Sequence, residues 1–220
     1  MKTTHKLLSL FVIISLVYLI CSLLNFTQIT FYLKPLLLLP LMSISLLIPN
    51  FLNKKILFSA LLFSWIGDIL LLFVFKDALY FILGLIFFLT AHIFYIFLFV
   101  KELKLAGGKF TFRSPGLIFV LVYMAIFLSL LVPHLGNLLI PVIIYSIVIS
   151  AMLYVAYLEA PHLPKRSSAL LLSGAISFVI SDSILAIDKF YYQLSYAGFL
   201  IMLTYLYAQG ALVWAFLKKN

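Results

Sequence analysis

The chain has 220 residues, of which 66% are hydrophobic and only 10% charged, whereas a soluble domain keeps roughly a quarter of its residues charged. That excludes a water-soluble globule, because too little polar surface is present to cover one. The net charge of +9 would suggest a nucleic-acid partner in a soluble protein, but here the basic residues stand singly or in small groups between apolar runs, as membrane topology requires. Nucleic acid is therefore excluded as a partner and the lipid bilayer is the expected one.

Apolar runs long enough to cross a ~30 Å hydrocarbon core recur along the whole chain. They predict an all-α bundle of eight transmembrane helices in a single membrane domain over 1–220. The expected spans are 7–24, 32–49, 56–75, 78–100, 116–132, 138–158, 168–187 and 193–216. The first could be a signal peptide, since Lys2 and Lys6 precede an apolar run. It lacks a small-residue cleavage site, and Tyr18, Leu19 and Ile20 before Cys21 make a poor lipoprotein box, so it reads as a retained helix. Cys21 stands alone and forms no intramolecular disulfide. In the second span Pro40 is interior and should kink the helix unless neighbours satisfy the freed carbonyl.

Orientation follows from Lys and Arg in the connections. Twelve of the 15 fall on one side: Lys2, Lys6, Lys54, Lys55, Lys101, Lys104, Lys109, Arg113, Lys165, Arg166, Lys218 and Lys219. Lys34, Lys76 and Lys189 fall on the other. Both termini are expected in the cytoplasm, and the expected location is a bacterial cytoplasmic membrane. Nothing in the sequence sets an oligomeric state.

Charge inside a membrane is costly, about 2.5–3.5 kcal/mol at the bilayer centre on insertion scales, and generally marks a function. Two acids stand out. Asp68 ends Ser64-Trp65-Ile66-Gly67-Asp68 in the third span, and Asp182 is central in Ser181-Asp182-Ser183 of the seventh. Ala60, Ser64 and Asp68 recur every four residues, as do Ser173, Ser177 and Ser181 beside Gly174 and Ala175. Such stripes share a helix face, and small residues let helices pack closely. Asp68 lies 13 residues past Lys55 and Asp182 lies 16 past Arg166, rises of ~20 and ~24 Å. Both acids should therefore sit in the outer half of the membrane, where Lys34 also enters, so two carboxylates and an ammonium can converge in one outward-facing pocket. The plainer alternative is structural: an Asp–Lys pair that fixes the bundle.

The remaining polar positions carry less weight. Asp77, Asp188 and Lys189 lie near helix ends and read as interfacial. His92 shares a face with Gly84, Phe88 and Tyr95, nine residues before Lys101, toward the cytoplasmic half. Tyr145 and Ser146 on the sixth span, and Gly198, Met202, Tyr205 and Gln209 on the eighth, could line a cavity. No His pair has metal-ligand spacing, and no nucleophile elbow, phosphate loop or dinucleotide fingerprint is present, so no metal or cofactor is expected.

Lys34-Pro35, Ser64-Trp65-Ile66-Gly67-Asp68, Gly84 through Ala91-His92 to Tyr95, Gly174-Ala175, Ser181-Asp182-Ser183 with Lys189-Phe190, and finally Tyr205 and Gln209 occur in that order. The ordered set, from about residue 31 to 210, resembles the YhhN family, which includes the transmembrane lysoplasmalogenases. The resemblance implies a membrane hydrolase that cleaves the vinyl ether bond of a lysophospholipid substrate, releasing a fatty aldehyde and a glycerophospho head group. It maps the family's membrane aspartates onto Asp68 and Asp182 as catalytic residues. Lys34, Ser64, His92, Tyr145, Ser181, Tyr205 and Gln209 would line the substrate site, with Lys34 attracting the lipid phosphate as a point charge. The chemistry needs one carboxyl group that keeps its proton, which desolvation and a neighbouring carboxylate favour, and a second to stabilise the cation or activate water. No metal or organic cofactor is required. From the residues alone, a proton-coupled transporter or lipid-handling protein using the same acids as a relay remains the alternative, as does a structural membrane protein.

Overall fold

The computed structural model describes residues 2–49, 51–112 and 115–219; Arg113, counted above among the basic residues of its loop, lies outside them. The described residues form helices and no strand. In chain order the helices are α1 (Lys2–Leu23), α2 (Thr27–Leu33), α3 (Leu39–Leu47), α4 (Lys54–Leu71), α5 (Leu79–Leu105), α6 (Pro115–Leu131), α7 (Leu139–Glu159), α8 (Lys165–Ala186) and α9 (Ala197–Lys219). A π-helical turn, Ile187–Tyr191, extends α8.

Among the described residues, seven helical stretches are long and apolar enough to cross a membrane: Thr3–Leu23, Thr27–Leu47, Leu79–Leu105, Pro115–His134, Gly136–His162, Lys165–Tyr191 and Ala197–Leu217. The protein is an integral membrane protein. The helix left out of that set is α4, whose 18 residues carry Lys54, Lys55 and Asp68.

The helix expected over 32–49 is broken in two. Lys34–Leu36 is a 3-10 turn with Pro35 in its first positions, and α3 restarts at Leu39 with Pro40 in its first turn. A proline has no N–H and is best tolerated where a helix begins, so two prolines five residues apart end one helix and start another. The break exposes the Pro35 carbonyl, which accepts a hydrogen bond of 2.7 Å from Trp65 Nε1 on α4. Phenylalanine at position 65 would leave that carbonyl unpaired in an apolar setting. Trp65→Phe should cost about 1–3 kcal/mol and lower the apparent unfolding temperature of the detergent-solubilised protein; an unchanged melt would mean the carbonyl finds another donor.

Small residues set the closest contacts. A Cβ built on Gly67 of α4 would lie 2.8 Å from the Phe88 ring and 3.3 Å from the Gly84 carbonyl oxygen of α5. A Cβ on Gly84 would lie 2.7 Å from Leu71. The stripe on α8 does the same against α9: a Cβ on Gly174 would meet Leu212 at 3.0 Å and the Ala208 carbonyl oxygen at 3.2 Å. Ala60, Ser64 and Asp68 are buried, as are Gly174, Ala175 and Ser181. The largest buried side chains, among them Tyr95, Phe99, Phe178 and Phe216, join α5, α8 and α9 into the core. α6 is peripheral. Only Val120 and Leu131 of its residues are buried, while Ile118, Phe119, Val122 and Ile126 face outward.

Candidate active site

Asp182 stands on α8 at the wall of a partly open, mostly apolar cavity. Phe81 and Leu85 of α5, Met124 and Phe127 of α6, Val142 and Ile149 of α7, and Phe190 of the π-helical turn form most of the lining. Polar groups reach it from Asp182, Tyr145, Tyr123, Ser183, Ser146 and Ser150. Tyr145 OH donates to Asp182 Oδ2 at 2.6 Å, and His92 Nε2 lies 3.6 Å from the same oxygen. Oδ1 has no hydrogen-bond partner among the described residues. The Asp182 side chain is 13% exposed and His92 fully buried, and His92 is absent from the cavity wall. The carboxyl group thus has one oxygen anchored by a tyrosine and the other without a hydrogen-bond partner among the described residues, on a residue that lines the cavity.

Asp68 has a different set of neighbours. Tyr205 OH of α9 donates to its Oδ2 at 2.7 Å, and Lys34 Nζ stands 3.7 Å from Oδ1. The side chains of Lys34 and Asp68 are 13% and 3% exposed. The pair joins the break after α2 to α4 and α9. Beyond it, Tyr95 OH donates to Gln209 Oε1 at 2.5 Å. The Phe178 ring lies between the two polar clusters, 5.6 Å from the Tyr205 ring and 4.6 Å from the His92 ring, centroid to centroid.

The sequence reading put both aspartates and Lys34 in one pocket. The structure brings Lys34 to Asp68, but gives Asp182 its own partners, and Asp68 does not line the cavity. Of the other residues expected at the substrate, only Tyr145 does. Ser181 Oγ donates to the Ile201 carbonyl at 3.0 Å and so ties α8 to α9. Tyr205 and Gln209 are committed as described, and Ser64 Oγ is buried without a hydrogen-bond partner among the described residues. His92 lies deeper than expected. α5 continues past Lys101 to Leu105, which places His92 at the middle of the helix and opposite Asp182. Tyr123 escaped the sequence reading altogether: its OH hydrogen-bonds Ser183 Oγ, which itself donates to the Val179 carbonyl. A lone tyrosine in an apolar helix carries no signal of its direction. Among the described residues no group of three or more His, Cys, Asp or Glu is placed to hold a metal ion.

The chain is 33% identical over 157 residues to human "Lysoplasmalogenase TMEM86A", across 70% of this chain and 61% of the human protein. It is 32% identical over 157 residues to human "Lysoplasmalogenase TMEM86B", across 70% of this chain and 60% of that protein. The chain thus spans about three fifths of the length of the curated relatives it matches. No solved structure matches it. The YhhN family profile matches residues 29–216, taking in both aspartates and every helix that lines the cavity. This chain belongs to the YhhN family.

Proposed function

We propose that the protein is a membrane hydrolase of the lysoplasmalogenase type, cleaving the vinyl ether bond of a 1-alkenyl lysophospholipid to a fatty aldehyde and a glycerophospho head group. The observation that carries this reading is the Asp182 carboxyl group, with one oxygen free of hydrogen-bond partners among the described residues, set in a cavity otherwise lined mostly by apolar side chains. Membrane-facing apolar walls hold the chain, and the one acid in the wall supplies the reactive proton.

The reaction is written for that acid. Asp182 gives its proton to the outer alkene carbon, and the ether oxygen donates electrons to form an oxocarbenium ion. Water adds to the carbon bonded to oxygen and returns a proton to the Asp182 carboxylate. The hemiacetal so formed collapses to aldehyde and alcohol, consuming one water and leaving the acid restored. Tyr145 fixes the carboxyl group, and His92 backs it from the buried side. Asp68 serves as a brace, with Lys34 and Tyr205, instead of touching substrate. The step calls for neither metal nor cofactor. Purified protein supplied with alkenyl lysophospholipid should release aldehyde. Substrate-driven proton flux in liposomes without product would replace the hydrolase by a transporter.

For topology, we infer that α4 is an eighth span, paired antiparallel with α5, and that both termini face the cytoplasm. The 12-to-3 partition of basic residues supports this, as does the hydrogen bond of 2.5 Å from Asn53 Nδ2, before α4, to Glu102 Oε1, near the end of α5. A periplasmic alkaline phosphatase fused after Lys219 should be inactive and one fused at Lys189 active; the reverse pattern would overturn the orientation.

A further inference from the structure

With Lys34 held by Asp68, the cation first expected to meet the lipid phosphate is already engaged. Another cation stands over one residue of the cavity wall. The Lys189 ammonium lies 4.9 Å from the centroid of the Phe81 ring, and Phe81 lines the cavity together with Phe190, the next residue in the chain. The Phe81 and Phe190 rings meet edge to face at 6.0 Å. Lys189 is exposed and has no carboxylate partner among the described residues. The neighbouring Asp188 is committed to the loop, its Oδ1 accepting from Leu194 N at 2.9 Å.

We propose that Lys189 forms the phosphate subsite of the cavity, holding the phosphodiester of a single-chain lipid whose reactive bond lies at Asp182. The inference rests on the hydrolase reading for the position of that bond. Lys189 lies two turns beyond Asp182 on one continuous helix, a rise of ~10 Å. In a 1-alkenyl lysophospholipid, seven bonds join the outer vinyl carbon to phosphorus, and at the ~1.2 Å per bond of an extended chain they span ~8 Å. A phosphate oxygen one bond further out reaches a flexible ammonium at that height. The polarity also matches. Lys189 is on the side with few basic residues, the hydrocarbon chain runs inward past Met124 and Ile149, and the head group stays at the membrane surface. The π-helical turn takes residues 187–191 out of the α-helical register, and such turns are frequent at functional sites.

The test is equilibrium binding of a 1-alkyl lysophospholipid, whose saturated ether resists hydrolysis, to the full chain in detergent, with 1-alkylglycerol as the probe lacking phosphate. Lys189→Ala should weaken the phospholipid roughly tenfold, the scale of one exposed charge-assisted hydrogen bond, and leave the alkylglycerol unaffected. Lys189→Arg keeps the charge and should restore most of the affinity. Lys76→Ala removes a lysine on the same side that stacks on Phe73 at 5.0 Å, outside the cavity wall, and should change neither probe. Inorganic phosphate should not displace the lipid. Equal binding by Lys189→Ala and wild type, equal loss for both probes, or displacement by phosphate alone would each overturn the subsite. If this binding pattern holds but no aldehyde forms from the alkenyl lipid, the hydrolase reading falls and the subsite stands; aldehyde formation with binding indifferent to Lys189 does the converse.

Discussion

Asp182→Asn should abolish aldehyde release from alkenyl lysophospholipid while leaving the protein folded. Proton transfer by a positioned acid contributes typically ~10²–10⁴-fold, and the amide has no proton of comparable acidity to give to carbon. The fold should survive because Asn is isosteric and its carbonyl still accepts from Tyr145 OH, now 2.6 Å from Oδ2. Aldehyde formation and thermal unfolding in detergent, measured on the same preparation, separate the two effects. Activity within a few fold of wild type, with an intact melt, would remove Asp182 from the chemistry and leave the cavity without its acid.

The second large effect concerns stability. A partly buried Lys34 and a buried Asp68 pair at 3.7 Å, with Tyr205 OH on the other carboxylate oxygen. Removing one partner of a buried pair strands a charge, which costs about 3–5 kcal/mol, whereas replacing both is often near neutral. Lys34→Met alone should therefore lower the unfolding temperature sharply, because the Asp68 carboxylate loses its counter-charge. Adding Asp68→Asn removes the stranded charge and keeps an acceptor for Tyr205, so the double variant should recover most of the loss. A Lys34→Met protein that melts like wild type yet turns over no substrate would assign Lys34 to the lipid and move the reactive centre to Asp68.

These two clusters mark where sequence reasoning reached and where it stopped. Position along the membrane normal can be counted from a basic anchor, because a helix rises by a fixed amount per residue. That is why Lys34 and Asp68, assigned to the same outer level, are found paired. Direction around the bundle axis cannot be counted in this way. It depends on which neighbour each helix packs against, and the apolar faces of these helices are nearly uniform. Asp182 was thus placed with Asp68 on depth alone, although Phe178 lies between their clusters and Tyr145 and His92 are its true neighbours. The break was legible in part, as a kink at Pro40, since proline chemistry is local, but the second break at Pro35 and its carbonyl acceptor for Trp65 required the tertiary fold. The small-residue stripes were the most informative pattern, because close backbone approach leaves few residue types to choose from. Tyr145 and Ser146 were legible as cavity-lining residues and do line it, but its apolar walls left no trace in the sequence: phenylalanine and valine look alike whether they face a partner, a lipid or an empty space.

The glycine contact between α4 and α5 has a mechanical consequence. With the backbones close at Gly67 and Gly84, and the Phe88 and Leu71 side chains packed directly against those glycines, the two helices have little room to shift against one another. This closely packed pair carries Asp68 on one member and His92 on the other. Compliance is concentrated across the cavity, at α6, which rests on few buried residues and is tethered to α8 through Tyr123 and Ser183. With few buried residues under it, α6 is the side of the cavity expected to yield first, while the opposite wall is held by close helix contact.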